Sequence, residues 1–249
     1  MTSVTKHIPN IITALNLASG SLAVIFGIDG HLVWAGIFIC LAAVFDFLDG
    51  LAARLFSAWS ETGKQLDSLA DLVSFGLAPA AVLFTLLEFS MFDVNQPVYE
   101  ISARWDQWAI LLSALIMPVF GALRLARFNA GQADMPYFRG LPIPANGLFW
   151  ASLGLMLEVP KHQDIFLILY STRNLLLLGL FTSGMMIISL PMFSLKLKNF
   201  DLKENWYRYL FVVIAIAFFA FFSVYGLAMT IIAYIFLNIL FYLLKIKYY

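Results

Sequence analysis

Residues 42–56 read AAVFDFLDGLAARLF, and residues 63–77 read GKQLDSLADLVSFGL. Each otherwise apolar run carries a pair of aspartates: Asp46 and Asp49 in the first, Asp67 and Asp71 in the second. Helical residues three or four apart share a face, so each run, read as a helix, projects both carboxylates to one side. A charged residue at the middle of a bilayer costs ~2.5–3.5 kcal/mol on insertion scales. Each close pair adds roughly 4 kcal/mol of repulsion at an effective dielectric of 20. A divalent cation or two between the carboxylates offsets these costs, and an all-oxygen ligand set suits Mg²⁺, Mn²⁺ or Ca²⁺ rather than zinc. The alternative is four solvated aspartates in a cytoplasmic loop between two helices. Strict pairing, with apolar residues in between, argues against it.

The rest of the chain has the composition of a protein dissolved in hydrocarbon. Of its 249 residues, 62% are hydrophobic and 12% charged, where a soluble domain has roughly half and about a quarter. A transmembrane helix needs ~20 mostly apolar residues. Apolar runs and their breakers predict an all-α, polytopic membrane bundle of about eight spans. These lie near 11–28, 32–55, 67–91, 107–127, 144–159, 174–192, 207–225 and 226–244, the fifth being short. Residues 1–198 would form a six-helix catalytic core, and residues 199–249 a C-terminal pair. No cleavable signal peptide is expected, because the first apolar run follows Lys6 directly and contains polar residues. Zero net charge gives no sign of a nucleic-acid partner, and the single Cys40 excludes an internal disulfide and a cysteine-based zinc site.

Positive charge orients the expected bundle. With the N-terminus in the cytoplasm, the inner segments hold Lys6, Arg54, Lys64, Arg124, Arg127, Arg139, Lys196, Lys198, Lys203, Arg208, Lys245 and Lys247. The outer ones hold Arg104, Lys161 and Arg173. That bias predicts both termini, and the aspartate site, on the cytoplasmic side of the cell (inner) membrane.

The pattern Asp46-x2-Asp49-Gly50-x2-Ala53-Arg54, then eight residues, then Gly63-x3-Asp67-x3-Asp71 resembles the signature of the CDP-alcohol phosphotransferases. The resemblance implies an integral membrane enzyme that moves a phosphatidyl-type group from a CDP-linked lipid to an alcohol and releases CMP. It implies two divalent metals (Mg²⁺ or Mn²⁺) on Asp46, Asp49, Asp67 and Asp71, with Asp71 also the general base. It further implies a homodimer, and places Asn10, Thr13, Gly50, Ala53, Arg54, Ser60 and Gly63 at the CDP-lipid. Read without it, Asn10 and Thr13 would be helix caps about half the time. The small residues near Gly50 could equally serve helix packing. No Ser-His or Cys-His nucleophile is apparent, and His7, His31 and His162 are isolated.

Three further segments resemble the serine-using branch of that family: His7 to Leu17, Arg124 to Asn129, and Phe138 to Asn146. In that branch the last commonly reads Gly-Leu-Pro-Ser-Pro-Ala-Ala; here Ile143 and Asn146 depart from it. Basic residues fit an amino-acid acceptor, whose carboxylate a guanidinium holds bidentately. The expected acceptor-binding residues are Arg124, Arg127, Asn129 and Arg139, and the expected reaction joins CDP-diacylglycerol to L-serine. Positive-inside charge and lipid headgroup contact are the plainer reading of these arginines. Glycerol phosphate would also want arginines, which makes the glycerol-phosphate-using branch the alternative, with choline- and inositol-using relatives behind it. An ion-coupled transporter is the rival outside the enzymes. It would need polar residues at matching depths in both halves, and the acids concentrate in the second and third spans.

Overall fold

The structure is a computed structural model that describes residues 7–132, 137–157, 163–194 and 201–245. Lys6, Lys161, His162, Lys196, Lys198, Lys247 and the expected domain boundary at residue 198 lie outside the described residues.

The described residues are all-α apart from one short ladder. Helix α1 (Ile8–Ile28) starts with Pro9 in its first turn, where a missing N–H costs nothing. It ends at Asp29-Gly30, and Gly30 takes a left-handed φ of 82° to turn the chain back. Helix α2 (Leu32–Leu55) runs antiparallel beside it. Helix α3 (Glu61–Phe92) is capped by Ser60, whose hydroxyl accepts from the Gly63 N–H at 3.0 Å. Within it, Leu72–Leu77 widens into a π turn immediately after Asp71. Helix α4 (Trp105–Gly131) follows, then strand β1 (Tyr137–Arg139), α5 (Ile143–Met156), the short α6 (Gln163–Leu169), α7 (Thr172–Ile187), β2 (Pro191–Phe193), α8 (Leu202–Phe222) and α9 (Val224–Leu243).

Among the described residues, six helices are long and apolar enough to cross a membrane: α1, α2, α3, α4, α8 and α9. The fifth and sixth expected spans exist as helices but are shorter, α5 with 14 residues and α7 with 16. At 1.5 Å rise per residue they reach roughly 21 and 24 Å, short of the ~30 Å hydrocarbon thickness. Many large apolar side chains point outward, among them Ile25, Phe47, Val213, Ile216, Phe219 and Phe236. Such a surface belongs against lipid.

Small residues and hydroxyls set the helix contacts that build the site. A Cβ on Gly20 would lie 2.6 Å from the Ser74 Cα, so α1 and α3 approach as closely as backbones allow. At the same crossing Ser74 Oγ donates to Asn16 O at 3.1 Å, and higher up Thr85 Oγ1 donates to Gly27 O at 2.7 Å. Ser19 Oγ donates to Phe38 O at 2.8 Å, tying α1 to α2. Helix α5 packs against α2, α3 and α9, and its Trp150 Nε1 donates to Thr182 Oγ1 of α7 at 3.1 Å. The carboxylate-bearing ends of α2 and α3 are thereby pressed against the first half of α1.

The ladder was not expected from sequence. β1 and β2 pair antiparallel, with Arg139 opposite Pro191 and Tyr137 opposite Phe193. Beyond it, Gly140 N donates to Leu190 O at 2.9 Å and Leu141 N to Met185 O at 2.8 Å. Gly140 has φ +73°, and a Cβ there would meet the carbonyls of Met185, Met186 and Ile188 within 2.8 Å. No side chain fits this close crossing.

Candidate metal and phosphate-transfer site

Asp46 and Asp49 sit near the end of α2, and Asp67 and Asp71 in the first half of α3. The two helices face each other there, and a carboxylate oxygen from each of Asp46, Asp49 and Asp67 lies within 4.8 Å of the others. Asp71 is outside that group, one turn deeper than Asp67. It is buried, at 8% exposure, and the charges of Asp46, Asp49 and Asp67 all bear on it.

Cation–oxygen distances of about 2.0–2.6 Å put oxygens on opposite sides of one ion about 4–5 Å apart. The three carboxylates match that span, and the donor set is oxygen alone. The residues therefore fit a hard divalent cation. His31, the histidine with a partner of known geometry, lies 3.5 Å from Asp29 at the α1–α2 turn, at the opposite end of these helices.

Helix α1 supplies what surrounds the carboxylates. Thr13 Oγ1 donates to Asp49 Oδ2 at 2.7 Å and lies 3.0 Å from Pro9 O. Asn16 Nδ2 donates to Asp71 Oδ1 at 3.4 Å. Asn16 is fully buried, and its Oδ1 has no hydrogen-bond partner among the described residues. Asn16 was not anticipated. The signal was present, since Pro9, Thr13, Asn16 and Gly20 fall at helical spacing on one buried face.

Apart from Thr13, which bonds Asp49, the residues expected at the CDP-lipid divide into three sets. Asn10, Ser60 and Gly63 converge: a Cβ on Gly63 would lie 2.9 Å from both Asn10 Oδ1 and Ser60 Oγ. Gly50 faces open space, with nothing within 4 Å of its would-be Cβ. Helix packing therefore does not account for Gly50, whereas its neighbour Ala52 is buried. Ala53 is half-buried, and Arg54 is exposed in the last turn of α2.

Arg124, Arg127 and Arg139, far apart in sequence, line one open cleft with Met186, Ile187, Ile188 and Ser189. Arg127 Nη1 donates to Ile187 O at 3.2 Å. Arg124 Nε is buried without a hydrogen-bond partner among the described residues, and the guanidinium lies within electrostatic reach of Tyr234 and Asp71. Asn129 is not in this pocket lining. Its Nδ2 donates to Ser68 Oγ at 2.9 Å, tying the end of α4 to the helix turn between Asp67 and Asp71. Asn146, a departure noted in the sequence, is fully buried, and both its amide atoms are unpartnered among the described residues.

The model of the CDP-alcohol phosphatidyltransferase family matches residues 6–192. The chain belongs to this family. It is therefore a membrane-embedded transferase by descent, and the match ends at β2, before α8 and α9. Among similar curated proteins is the CDP-diacylglycerol–serine O-phosphatidyltransferase of Bacillus subtilis, 34% identical over 143 residues, covering 57% of this chain and 72% of that one. The protein of that name from Saccharomyces cerevisiae is 40% identical over 154 residues, covering 55% of this chain and 50% of its own. A Helicobacter pylori protein of the same name is 29% identical over 210 residues, 84% of this chain and 78% of that one.

Proposed function

We propose that this chain transfers the phosphatidyl group of CDP-diacylglycerol to L-serine, giving phosphatidylserine and CMP. The observation that carries the reading is the pairing of two sites at one end of the bundle: three clustered carboxylates with Asp71 buried behind them, and a three-arginine pocket whose Arg124 reaches electrostatically toward Asp71. The shared name of the bacterial and yeast relatives supports serine as acceptor.

Asp46, Asp49, Asp67 and Asp71 would hold two divalent cations. When bound, these would neutralise the pyrophosphate and stabilise CMP as leaving group. Asn10, Ser60, Gly63 and open Gly50 line the approach for the CDP moiety, and Arg54 adds a cation at its rim. The arginine pocket takes the serine carboxylate and directs the hydroxyl toward Asp71. The hydroxyl oxygen attacks the phosphorus that carries the diacylglycerol, the bond from that phosphorus to CMP breaks, and the hydroxyl proton passes to the Asp71 carboxylate. No covalent enzyme intermediate is needed.

In the membrane, residues 1–198 act as the catalytic core, with α5 and α7 as short spans that complete an eight-helix bundle, both termini cytoplasmic. The site then opens to the cytoplasm of the cell membrane, the side predicted for Arg54, Arg124, Arg127 and Arg139. The reading also carries a homodimer, which light scattering of the detergent-solubilised chain tests by mass. The chemistry is tested with isotope-labelled L-serine, CDP-diacylglycerol and Mg²⁺ or Mn²⁺. Label should enter the chloroform-extractable lipid in step with CMP release. CMP release without label in lipid would refute serine as acceptor.

A further inference from the structure

The wall of the arginine pocket is held from behind by the last two helices. Phe193, at the end of β2, donates its N–H to Asn238 Oδ1 at 2.8 Å and accepts from the Tyr234 hydroxyl at its carbonyl, also at 2.8 Å. Asn238 Nδ2 donates to Tyr234 O at 2.7 Å, which fixes the amide with its oxygen toward the strand. Both side chains are buried. Helix α8 adds a second grip, with Arg208 Nε donating to Ser194 O at 2.7 Å. The Phe193 ring lies edge-on to Tyr234, Tyr207 and Phe211, at centroid distances of 5.0, 5.3 and 5.8 Å.

From Phe193 the contact runs to the site in two steps. β2 pairs with β1 so that Arg139 stands opposite Pro191, and the residues just before β2, Met186 to Ser189, line the pocket together with Arg139. Tyr234 is also within electrostatic reach of Arg124. An asparagine on an apolar, membrane-length helix is costly unless its amide is satisfied. Here both of its groups are used, one on the strand and one on the backbone that carries Tyr234. Simple packing of α9 against α5 would be met by leucine.

We propose that Tyr234 and Asn238 are positioning residues for the acceptor alcohol. Through Phe193 they set the β1–β2 register, and with it the placement of Arg139 and the pocket wall. The assignment of the pocket to the acceptor rests on the proposed function. The clamp gives α8 and α9, which lie beyond the family match, a part in acceptor recognition.

The test uses the full chain in detergent with Asn238→Leu, Tyr234→Phe and Asn238→Asp, the last keeping an acceptor for the Phe193 N–H. Two readouts are needed. The first is KM for whichever alcohol the wild type uses, against KM for CDP-diacylglycerol. Asn238→Leu should raise the acceptor KM about tenfold or more and leave the CDP-diacylglycerol KM within about twofold, with Asn238→Asp in between. Tyr234→Phe deletes one oxygen and should shift the same KM in the same direction. The second is backbone amide exchange, which needs no turnover. It should quicken at residues 139–141 and at 192 and 193 in Asn238→Leu and Tyr234→Phe, and stay unchanged in α1 to α3. An unchanged acceptor KM, an equal rise in both KM values, or unchanged exchange at the ladder overturns the proposal. A wild type that releases no CMP with any alcohol refutes the proposed function instead, and the exchange readout still decides on the clamp.

Discussion

Asn16 of α1 donates its amide N–H to Asp71 of α3 across 3.4 Å, with both side chains buried. The bond holds one carboxylate oxygen of Asp71 and leaves the other available. It requires α1 and α3 to touch backbone to backbone, which the Gly20–Ser74 crossing one turn away provides. Replacing Asn16 by Leu should keep the bundle folded and lower kcat by about 10- to 100-fold, ~1.4–2.7 kcal/mol of transition-state free energy. KM for CDP-diacylglycerol should change little. Steady-state kinetics on the purified variant check this, and an unaltered kcat would remove Asn16 from the machinery.

Asp71→Asn keeps size and burial and removes the proton acceptor. Turnover should fall by about 10²–10⁴-fold, the usual contribution of a positioned base, while thermal stability is kept or rises because one of four clustered negative charges is gone. CMP release and a melting curve in the same detergent check both. A variant that turns over at the wild-type rate would exclude Asp71 as the base.

Gly20 and Gly50 should respond to alanine in opposite ways. A methyl group at Gly20 collides with Ser74 across the α1–α3 crossing, and such overpacking costs ~1–3 kcal/mol. A methyl group at Gly50 meets nothing within 4 Å, so stability should hold. Its expected effect is on the ligand, with the KM for CDP-diacylglycerol rising several-fold. Melting temperature and KM, measured on both variants, separate the two roles.

Metal removal should silence the chain without unfolding it. Treatment with EDTA should abolish CMP release, and added Mg²⁺ or Mn²⁺ should restore it. Asp46→Ala, Asp49→Ala and Asp67→Ala should each need much higher metal for half-maximal activity, since each takes one oxygen from the cluster. A metal titration curve identical to wild type in all three would contradict the assignment.

Much of the architecture could be read from local pattern. Helices α1 to α4, α8 and α9 follow from apolar runs and from breakers such as Asp29-Gly30. Helix α3 starts at Glu61 rather than near residue 67, because its first turns carry Glu61, Lys64 and Gln65 and read as polar loop despite the Ser60 cap. The β1–β2 ladder could not be read, since three-residue strands more than 50 positions apart leave no periodicity. The π turn after Asp71 likewise has no local signature. At the site, the pairing of the aspartates was legible from spacing. The meeting of Arg124, Arg127 and Arg139 depends on that unread ladder, and no composition or periodicity could have shown Tyr234 and Asn238 behind it.

The decisive measurement is CMP release from CDP-diacylglycerol by the purified full chain, with serine, glycerol 3-phosphate, inositol or choline offered separately, with and without divalent metal. CMP should be released with serine alone, and only when Mg²⁺ or Mn²⁺ is present. Release with a different alcohol, or release that persists without metal, would contradict the proposed function.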